Sequence, residues 1–148
     1  EWSEAKELDW GLLEDHLHAG MKAYVGVLLK LYSKYPSLYN MDYDTKGFRW
    51  INADDTYKSI YSFVRYSVTV KNNMLFVLNF TPIARDDYRV GVPENKKYRL
   101  ILNSDEKRFG GSGREQEEYY VADEMEWDGQ EFSIAYPLPA YGAAIFLF

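Results

Sequence analysis

The chain has 148 residues, a formal net charge of -6 and no cysteine. The missing cysteines exclude a disulfide framework, a thiolate metal site and a cysteine nucleophile, and an acidic chain with scattered basic residues argues against nucleic acid as a partner. Its apolar stretches fall far short of the roughly 18 residues that suggest a membrane span, so we expect a soluble cytoplasmic chain with one main core and no membrane partner.

The apolar residues before position 36 follow a helical spacing. The residues that recur at steps of three and four are Met21, Val25, Leu28, Leu29, Tyr32 and Tyr35. Such steps line one face of a helix, and Pro36 disfavours helical geometry in the residue before it. The pattern therefore predicts a helix that ends at Tyr35, with a shorter helical turn around Leu12 to His16 before it.

This long helix is apolar on more than one side. Ala23, Tyr24, Val27 and Leu31 lie off the main stripe, and an apolar circumference of this width is typical of a helix buried from two sides. The chain also begins without Met and has Trp2 near its start, so we expect a piece of a longer protein that lacks one neighbour of the helix. Such a piece is expected to self-associate through the helix at 21–35.

Beyond Pro36 the pattern changes to short apolar or alternating runs. The runs are Phe48 to Ile51, Ser59 to Tyr66, Met74 to Phe80, Tyr88 to Val92, Tyr98 to Leu102, Phe132 to Tyr136 and Ala143 to Phe148. Turn formers such as Asn72-Asn73 and Asp128-Gly129 separate them. Seven or eight short strands without helices between them predict a mainly β fold, an antiparallel β-sandwich preceded by two helices.

Residues 108–118 combine glycines with charged side chains and offer no apolar anchor. This composition predicts a mobile surface loop. Gly110 to Gly113 has neither a lysine nor a helix start after it, which argues against a phosphate-binding loop.

Aromatic residues make up 18% of the chain, with 14 Tyr, 8 Phe and 4 Trp. Aromatic side chains favour the half-buried surfaces of β-sheets, but exposed flat rings can also stack on sugar rings. Sequence alone does not separate exposed from buried rings, so both interpretations stay open. The candidates for sugar contact are Trp50, Tyr57, Tyr61, Trp127 and Tyr141.

No other cluster predicts a metal, a cofactor or a catalytic pair. His16 and His18 are two residues apart and would not face each other on a helix, so we predict no metal site. Asp54-Asp55 and Asp86-Asp87 are sequence neighbours, whereas the paired carboxylates of glycosidases converge from different elements. We expect both pairs to form turns.

Several short blocks occur in a fixed order along nearly the whole chain. They are Leu8-Asp9-Trp10, Leu12-Leu13, His18-Ala19-Gly20, Asp42-Tyr43-Asp44, Gly47-Phe48, Asp54-Asp55, Asn79-Phe80-Thr81-Pro82, Tyr88-Arg89-Val90-Gly91-Val92-Pro93, Leu102-Asn103-Ser104-Asp105 and Gly110-Gly111-Ser112. Together they resemble the carboxy-terminal region of bacterial 1,4-α-glucan (glycogen) branching enzymes, which belong to the α-amylase superfamily.

The resemblance implies a TIM barrel upstream of this chain. Residues 1–40 would be the terminal helical segment of that barrel, and residues 41–148 the carboxy-terminal β-sandwich. The long helix would then contact the barrel with one face and the sandwich with the other, which accounts for its two apolar faces.

The implied reaction cleaves an α-1,4 linkage and transfers the freed chain to a 6-hydroxyl, which creates an α-1,6 branch. The resemblance places the carboxylates of this retaining chemistry in the barrel, so we assign no catalytic residue here and expect the chain alone to be structural and inactive. Its implied partners are its own upstream barrel and an α-glucan such as glycogen. The alternatives are a glucan-binding module and the tail of another starch-acting enzyme of the superfamily.

Overall fold

A short 3₁₀ turn and one long helix open the computed structural model, which describes residues 3–68 and 72–148. The 3₁₀ turn spans Trp10–Glu14 and α1 spans His16–Lys34. The first of the two predicted helices is therefore only a turn, since the cap of α1, Asp15, follows it directly. Trp2, on which the expectation of a missing segment partly rested, lies outside the described residues.

Both ends of α1 have local chemical causes. The Asp15 carboxylate accepts hydrogen bonds from the backbone N–H groups of Leu17 at 2.8 Å and His18 at 3.3 Å, which satisfies two free donors of the first turn. These bonds lower the pKa of Asp15. At the other end Tyr35 is the C-cap, so the helix ends where Pro36 predicts it.

Eight strands form within the described residues. They are β1 (Phe48–Asn52), β2 (Ile60–Arg65), β3 (Met74–Asn79), β4 (Arg85–Val92), β5 (Lys97–Asn103), β6 (Tyr119–Val121), β7 (Phe132–Leu138) and β8 (Ala143–Leu147). Seven of them fall on the predicted runs, whereas the three-residue β6 has no run of its own because it is too short to show an alternating pattern.

The strands form two antiparallel sheets. The large sheet has the order β1-β2-β3-β8-β5-β6, and the small sheet pairs β4 with β7. Along β2, Ile60, Ser62 and Val64 are fully buried while the residues between them lie on the other face, as period-two alternation requires. The predicted antiparallel β-sandwich is confirmed.

The main core lies between the two sheets and is rich in aromatic rings. Tyr136 and Phe146 are fully buried and meet edge to face at 5.1 Å, with Tyr120 packed against both. This geometry places the positive ring edge against the negative face of its neighbour. Burial raises the pKa of Tyr136 above its usual range.

A second apolar cluster forms where α1 lies on the outer face of the large sheet. Tyr35, Met74, Leu102 and Ile145 are its buried members. Helix residues that pack on them are Tyr24, Val27, Leu28 and Leu31. The helix is thus part of the folded unit, and it covers the large sheet only.

Candidate functional site

One flank of α1, next to the face packed on the sandwich, exposes a row of large apolar side chains. We call this row the outer stripe; it consists of Leu17, Met21, Val25, Leu29 and Tyr32. Each member is between 45% and 64% exposed, which is unusual for a contiguous set of large apolar residues on a folded surface. The helix therefore presents a surface suited to a second partner.

The predicted helix stripe divides between two environments. Leu28 and Tyr35 belong to the cluster beneath the helix, whereas Met21, Val25 and Leu29 lie on the outer stripe. The sandwich covers only part of the predicted stripe, because the apolar face of the helix is wider than the area that one sheet can cover.

The position of α1 on the sandwich depends on Gly20. This glycine is buried, and a Cβ added to it would lie 2.9 Å from the backbone carbonyl carbon of Phe109. The ring of Phe109 in turn meets the ring of Tyr24 edge to face at 5.2 Å. Close backbone approach at Gly20 thus fixes the helix against the loop after β5.

The aromatic side chains beside the helix form a packed surface on the large sheet. We call it the aromatic patch and define it as Phe48, Trp50, Phe63 and Phe76. Phe63 stacks on Phe76 with ring centres 4.6 Å apart and meets Phe48 at 5.2 Å and Trp50 at 5.6 Å. Trp50 is 51% exposed, so the patch continues the apolar surface of the molecule beyond the helix.

Trp127 lies in a different environment, at an open cavity of about 540 Å³ beside the small sheet. We call it the Trp127 cavity; its wall consists of residues 84–89 together with Lys58, Met125 and Trp127. The indole is 42% exposed. A flat ring, a concave wall and several polar groups therefore occur together here, a combination typical of small-ligand sites.

A β-bulge shapes the wall of this cavity. Arg85 pairs with Leu138 and Tyr88 with Tyr136, so three steps along β4 match two along β7. Bulges insert one extra residue and redirect side chains. The expectation that Asp86-Asp87 forms a turn is therefore wrong: both residues belong to β4 and line the cavity.

Charges around the Trp127 cavity are largely balanced. Arg89 lies 2.8 Å from an oxygen of Asp123, Lys58 lies 3.6 Å from Asp55, and Asp86 lies 2.6 Å from Arg114. These pairs neutralise most of the charge near the cavity.

Arg85 and Asp87 are the exceptions. Within 3–68 and 72–148 neither forms an ion pair, and the buried Nε atom of Arg85 has no hydrogen-bond partner. Burial raises the pKa of the Tyr88 phenol, which therefore stays neutral beside them.

The hairpin that carries Trp127 is held by Asp128. Asp128 and Gly129 have φ values of 51° and 68°, as a tight two-residue turn between strands requires. The Asp128 carboxylate accepts hydrogen bonds from the Asn52 side chain at 2.8 Å and from the backbone N–H of Gly91 at 3.0 Å. The hairpin is thereby fixed to β1 and β4, which sets where the backbone presents Trp127.

The remaining predicted sugar contacts are scattered. Tyr57 is 99% exposed in the loop between β1 and β2, and Tyr141 is 69% exposed in the turn before β8. Tyr61 lies on β2, where its ring meets the exposed Phe80 at 5.6 Å. Trp50 and Tyr61 lie on the same face of neighbouring strands, Tyr141 borders a depression beside Met21 and Tyr24 of α1, and Trp127 lies at the cavity beside the small sheet.

Sequence reasoning missed the polar wall of the Trp127 cavity. A signal was available, since Arg85-Asp86-Asp87 directly precedes the alternating run that begins at Tyr88. By contrast, Asp54-Asp55 does form the expected turn, in which the Asp55 carboxylate accepts a hydrogen bond from the Lys58 N–H at 3.0 Å.

The loop at 108–118 has a polar anchor that the sequence did not indicate. The Asp105 carboxylate accepts hydrogen bonds from the backbone N–H of Ser112 at 2.8 Å and from its hydroxyl at 2.6 Å. The N–H of Arg114 lies 3.4 Å from the same carboxylate. The expectation of a loop without an apolar anchor is wrong, because Phe109 packs on Tyr24 and the Asp105 carboxylate adds a polar anchor.

The histidines, the acidic groups and the helices of the described residues bear on metal binding and on membrane insertion. His16 and His18 are both exposed at the start of α1. Across residues 3–68 and 72–148, no three His, Cys, Asp or Glu residues form a group that could hold a metal ion. Over the same ranges, every helix is too short or too polar to cross a membrane.

Residues 50–148 match the family described as the alpha amylase C-terminal all-beta domain. The whole chain is 50% identical to part of the 1,4-alpha-glucan branching enzyme of Butyrivibrio fibrisolvens, and it covers 23% of that enzyme. Over 94% of its length it is 45% identical to the branching enzyme of Cereibacter sphaeroides, covering 19% of it. Over 99% of its length it is 37% identical to that of Oceanobacillus iheyensis, covering 23%. The chain thus spans about a fifth of the length of these relatives, and the resemblance noted from its sequence blocks is confirmed.

Proposed function

Because the chain belongs to the family of the alpha amylase C-terminal all-beta domain, we propose that it forms the non-catalytic end of a 1,4-α-glucan branching enzyme. In this proposal the enzyme moves α-1,4-linked glucan chains onto 6-hydroxyls to form the α-1,6 branches of glycogen. The upstream barrel performs the chemistry, and this chain supplies a folded surface against which the barrel packs. We expect the whole enzyme to work in the cytoplasm, which cell fractionation tests.

The outer stripe of α1 carries the proposal. Five large apolar residues are half exposed on one flank of a helix whose neighbouring face is already packed on the sandwich. Contiguous exposed apolar surface favours a protein partner, and the relatives are about five times as long as the part that this chain matches. The partner that fits both observations is the preceding domain of the same polypeptide.

The domain boundary follows from the same proposal. Residues 1–40 would complete the barrel as its terminal helical segment, and residues 41–148 would form the separate sandwich. The aromatic patch lies beside α1 on the large sheet, so it would extend the contact with the barrel. Trp50 would then be a contact to protein.

A chimera tests this function. The matching region of the Butyrivibrio fibrisolvens enzyme is replaced by this chain, and branching is measured as new α-1,6 linkages formed from linear α-glucan. We expect an active enzyme, because 50% identity preserves the apolar contacts. A folded chimera without activity contradicts the proposal. Activity toward starch without new branches favours the alternative of another starch-acting enzyme.

The chimera also tests the docking surface. Leu29→Glu places a charge in the middle of the outer stripe, and we expect it to lower branching activity at least tenfold. The matched control is Lys34→Glu, which lies roughly 140° around the helix from Leu29 at about 100° per residue. It changes the charge more but should leave activity within about twofold, which corresponds to about 0.4 kcal/mol. Equal losses in both variants count against docking through the outer stripe.

Without the barrel, we propose that the helix at 21–35 joins two copies of the chain. The support is again the exposed apolar row, because burying apolar surface stabilises association by about 25 cal/mol per Å². A second copy would occupy the surface on which the barrel packs, and the barrel would displace it in the full-length enzyme.

A second candidate function is glucan binding by exposed aromatic side chains. Trp50, Tyr57, Tyr61, Trp127 and Tyr141 are its candidate contacts, and the observation that favours it is the position of Trp127 at a concave polar cavity. Titration of the 148-residue chain with maltoheptaose, followed by NMR, tests it. Unchanged spectra at millimolar sugar contradict the candidate.

A further inference from the structure

The five candidate sugar contacts occupy surfaces with different shapes. The aromatic patch is a packed row of rings on a sheet face, where Phe48 and Phe63 contact the exposed Trp50 and Phe76 stacks on Phe63. Trp127 instead borders a cavity of about 540 Å³, which falls in the range of about 300–1,000 Å³ typical of ligand sites. This open cavity offers a small ligand a concave wall, and the flat patch does not.

The backbone at Trp127 is held in place before any ligand arrives. It exchanges two hydrogen bonds with Gln130, at 3.0 and 2.9 Å. Asp128 ties the same hairpin to Asn52 and Gly91. A backbone that is already fixed loses little conformational entropy on binding, so the hairpin presents Trp127 at the cavity without rearrangement of the chain.

The polar groups of the cavity suit a neutral ligand with many hydroxyls. Arg85 offers N–H donors and Asp87 offers carboxylate acceptors, and neither is engaged in an ion pair among the residues described. The neighbouring cations Lys58 and Arg89 are already matched by carboxylates. A phosphate would meet the acidic residues of the same wall, whereas a sugar can both accept from Arg85 and donate to Asp87.

The cavity also stays open in the docking arrangement. Helix α1 and the aromatic patch belong to the outer face of the large sheet, while residues 84–89 belong to the small sheet side of the sandwich. A domain docked on the helix would therefore leave the Trp127 cavity accessible to solvent.

We propose that the Trp127 cavity is a glucan-binding site that holds one or two glucose units of an α-1,4-glucan away from the site of reaction. Trp127 stacks on the apolar face of a glucose ring, and Arg85 and Asp87 bind its hydroxyls. This inference rests on the proposed function, because a glucan-acting enzyme supplies the ligand class. In this proposal Trp127 contacts the sugar, whereas Trp50 contacts the barrel.

The test is a titration of the 148-residue chain with maltoheptaose, followed by NMR and tryptophan fluorescence. We expect binding in the millimolar range, a loss of at least tenfold in affinity for Trp127→Ala (about 1.4 kcal/mol) and at least threefold for Asp87→Ala. Trp50→Ala is the matched control and should bind within about twofold of the unchanged chain, since twofold is only about 0.4 kcal/mol. Circular dichroism and the unfolding midpoint verify that each variant is folded.

Several results would overturn the site. They are no shift of residues 84–89 and 125–127 at millimolar maltoheptaose, equal binding by Trp127→Ala and the unchanged chain, or a loss confined to Trp50→Ala. Because Asp87 is exposed on the rim, its variant keeps the test valid if Trp127→Ala does not fold. An active chimera that binds no maltoheptaose at these residues contradicts the cavity proposal and leaves the docking function intact. An inactive folded chimera that still binds maltoheptaose at these residues contradicts the docking function and leaves the binding site intact.

Discussion

The aromatic patch and the Trp127 cavity each present a half-exposed tryptophan, yet their surroundings differ. Trp50 is surrounded by Phe48 and Phe63 on a sheet face, whereas Trp127 stands above charged side chains at a bulged strand. Exposure alone does not separate the two rings. The neighbours do: apolar rings favour a large protein surface, and balanced polar groups in a concavity favour a small hydroxylated ligand.

Phe63 and Trp127 should differ strongly in what they contribute to the stability of the fold. Phe63 contacts three other rings of the patch, so Phe63→Ala should lower the free energy of unfolding by about 2–3 kcal/mol, near the lower end for truncated aromatic residues. Trp127→Ala removes a rim side chain and should cost less than about 1 kcal/mol. Urea unfolding monitored by circular dichroism measures both. A larger loss at Trp127 would mean that the indole is chiefly structural.

The Trp127 hairpin lies close to β4 because residue 91 is a glycine. A Cβ on Gly91 would lie 2.2 Å from the carbonyl oxygen of Trp127, so Gly91→Ala should displace the hairpin and destabilise the fold by about 1–3 kcal/mol. Maltoheptaose affinity should fall with it. At Gly26 an added Cβ meets nothing within 4 Å, and the control Gly26→Ala should instead stabilise α1 by up to about 1 kcal/mol. Similar destabilisation by both variants would contradict the tight approach at Gly91.

Self-association distinguishes the two regions in a different way. Leu29 belongs to the outer stripe, so Leu29→Glu should shift the chain toward monomer by at least tenfold in dissociation constant, about 1.4 kcal/mol. Lys34→Glu and Trp127→Ala should leave the constant nearly unchanged. Sedimentation velocity over a range of concentrations measures it. A wholly monomeric unchanged chain contradicts the dimer proposal.

In alkali the Tyr88 phenol at the cavity adds one further, small difference between the two regions, beside the other buried tyrosines of the core. Burial raises the pKa of Tyr88 from its usual value of 10.0, so the folded chain keeps this phenol protonated while the unfolded chain releases the proton. Stability is therefore complete below about pH 10 and falls as the pH rises above it. Tyr88→Phe should make this fall shallower in urea unfolding at pH 9 to 11. Phe63→Ala should leave its slope unchanged, because the patch carries no ionisable group.

Much of the fold follows from local pattern. Alternation in β2 and the proline after Tyr35 predicted elements that the structure confirms within a residue or two. Interactions across long sequence separations escaped prediction. The Asp128 contact with Asn52 joins residues 76 positions apart, and the bulge at Asp86-Asp87 depends on the register against β7. Neither leaves a periodic signal, so the sequence presents the candidate Trp127 and the Arg85-Asp86-Asp87 run as separate features and does not show that they form one cavity.

Gly20 sets the direction in which the molecule can be joined to a larger one. With only a hydrogen between its backbone and that of Phe109, α1 cannot roll about its own axis without separating from the loop beneath it. The azimuth of the outer stripe is therefore fixed relative to both sheets. A domain that packs on that stripe would therefore have one orientation relative to the sandwich, and the absence of a side chain at Gly20 determines it.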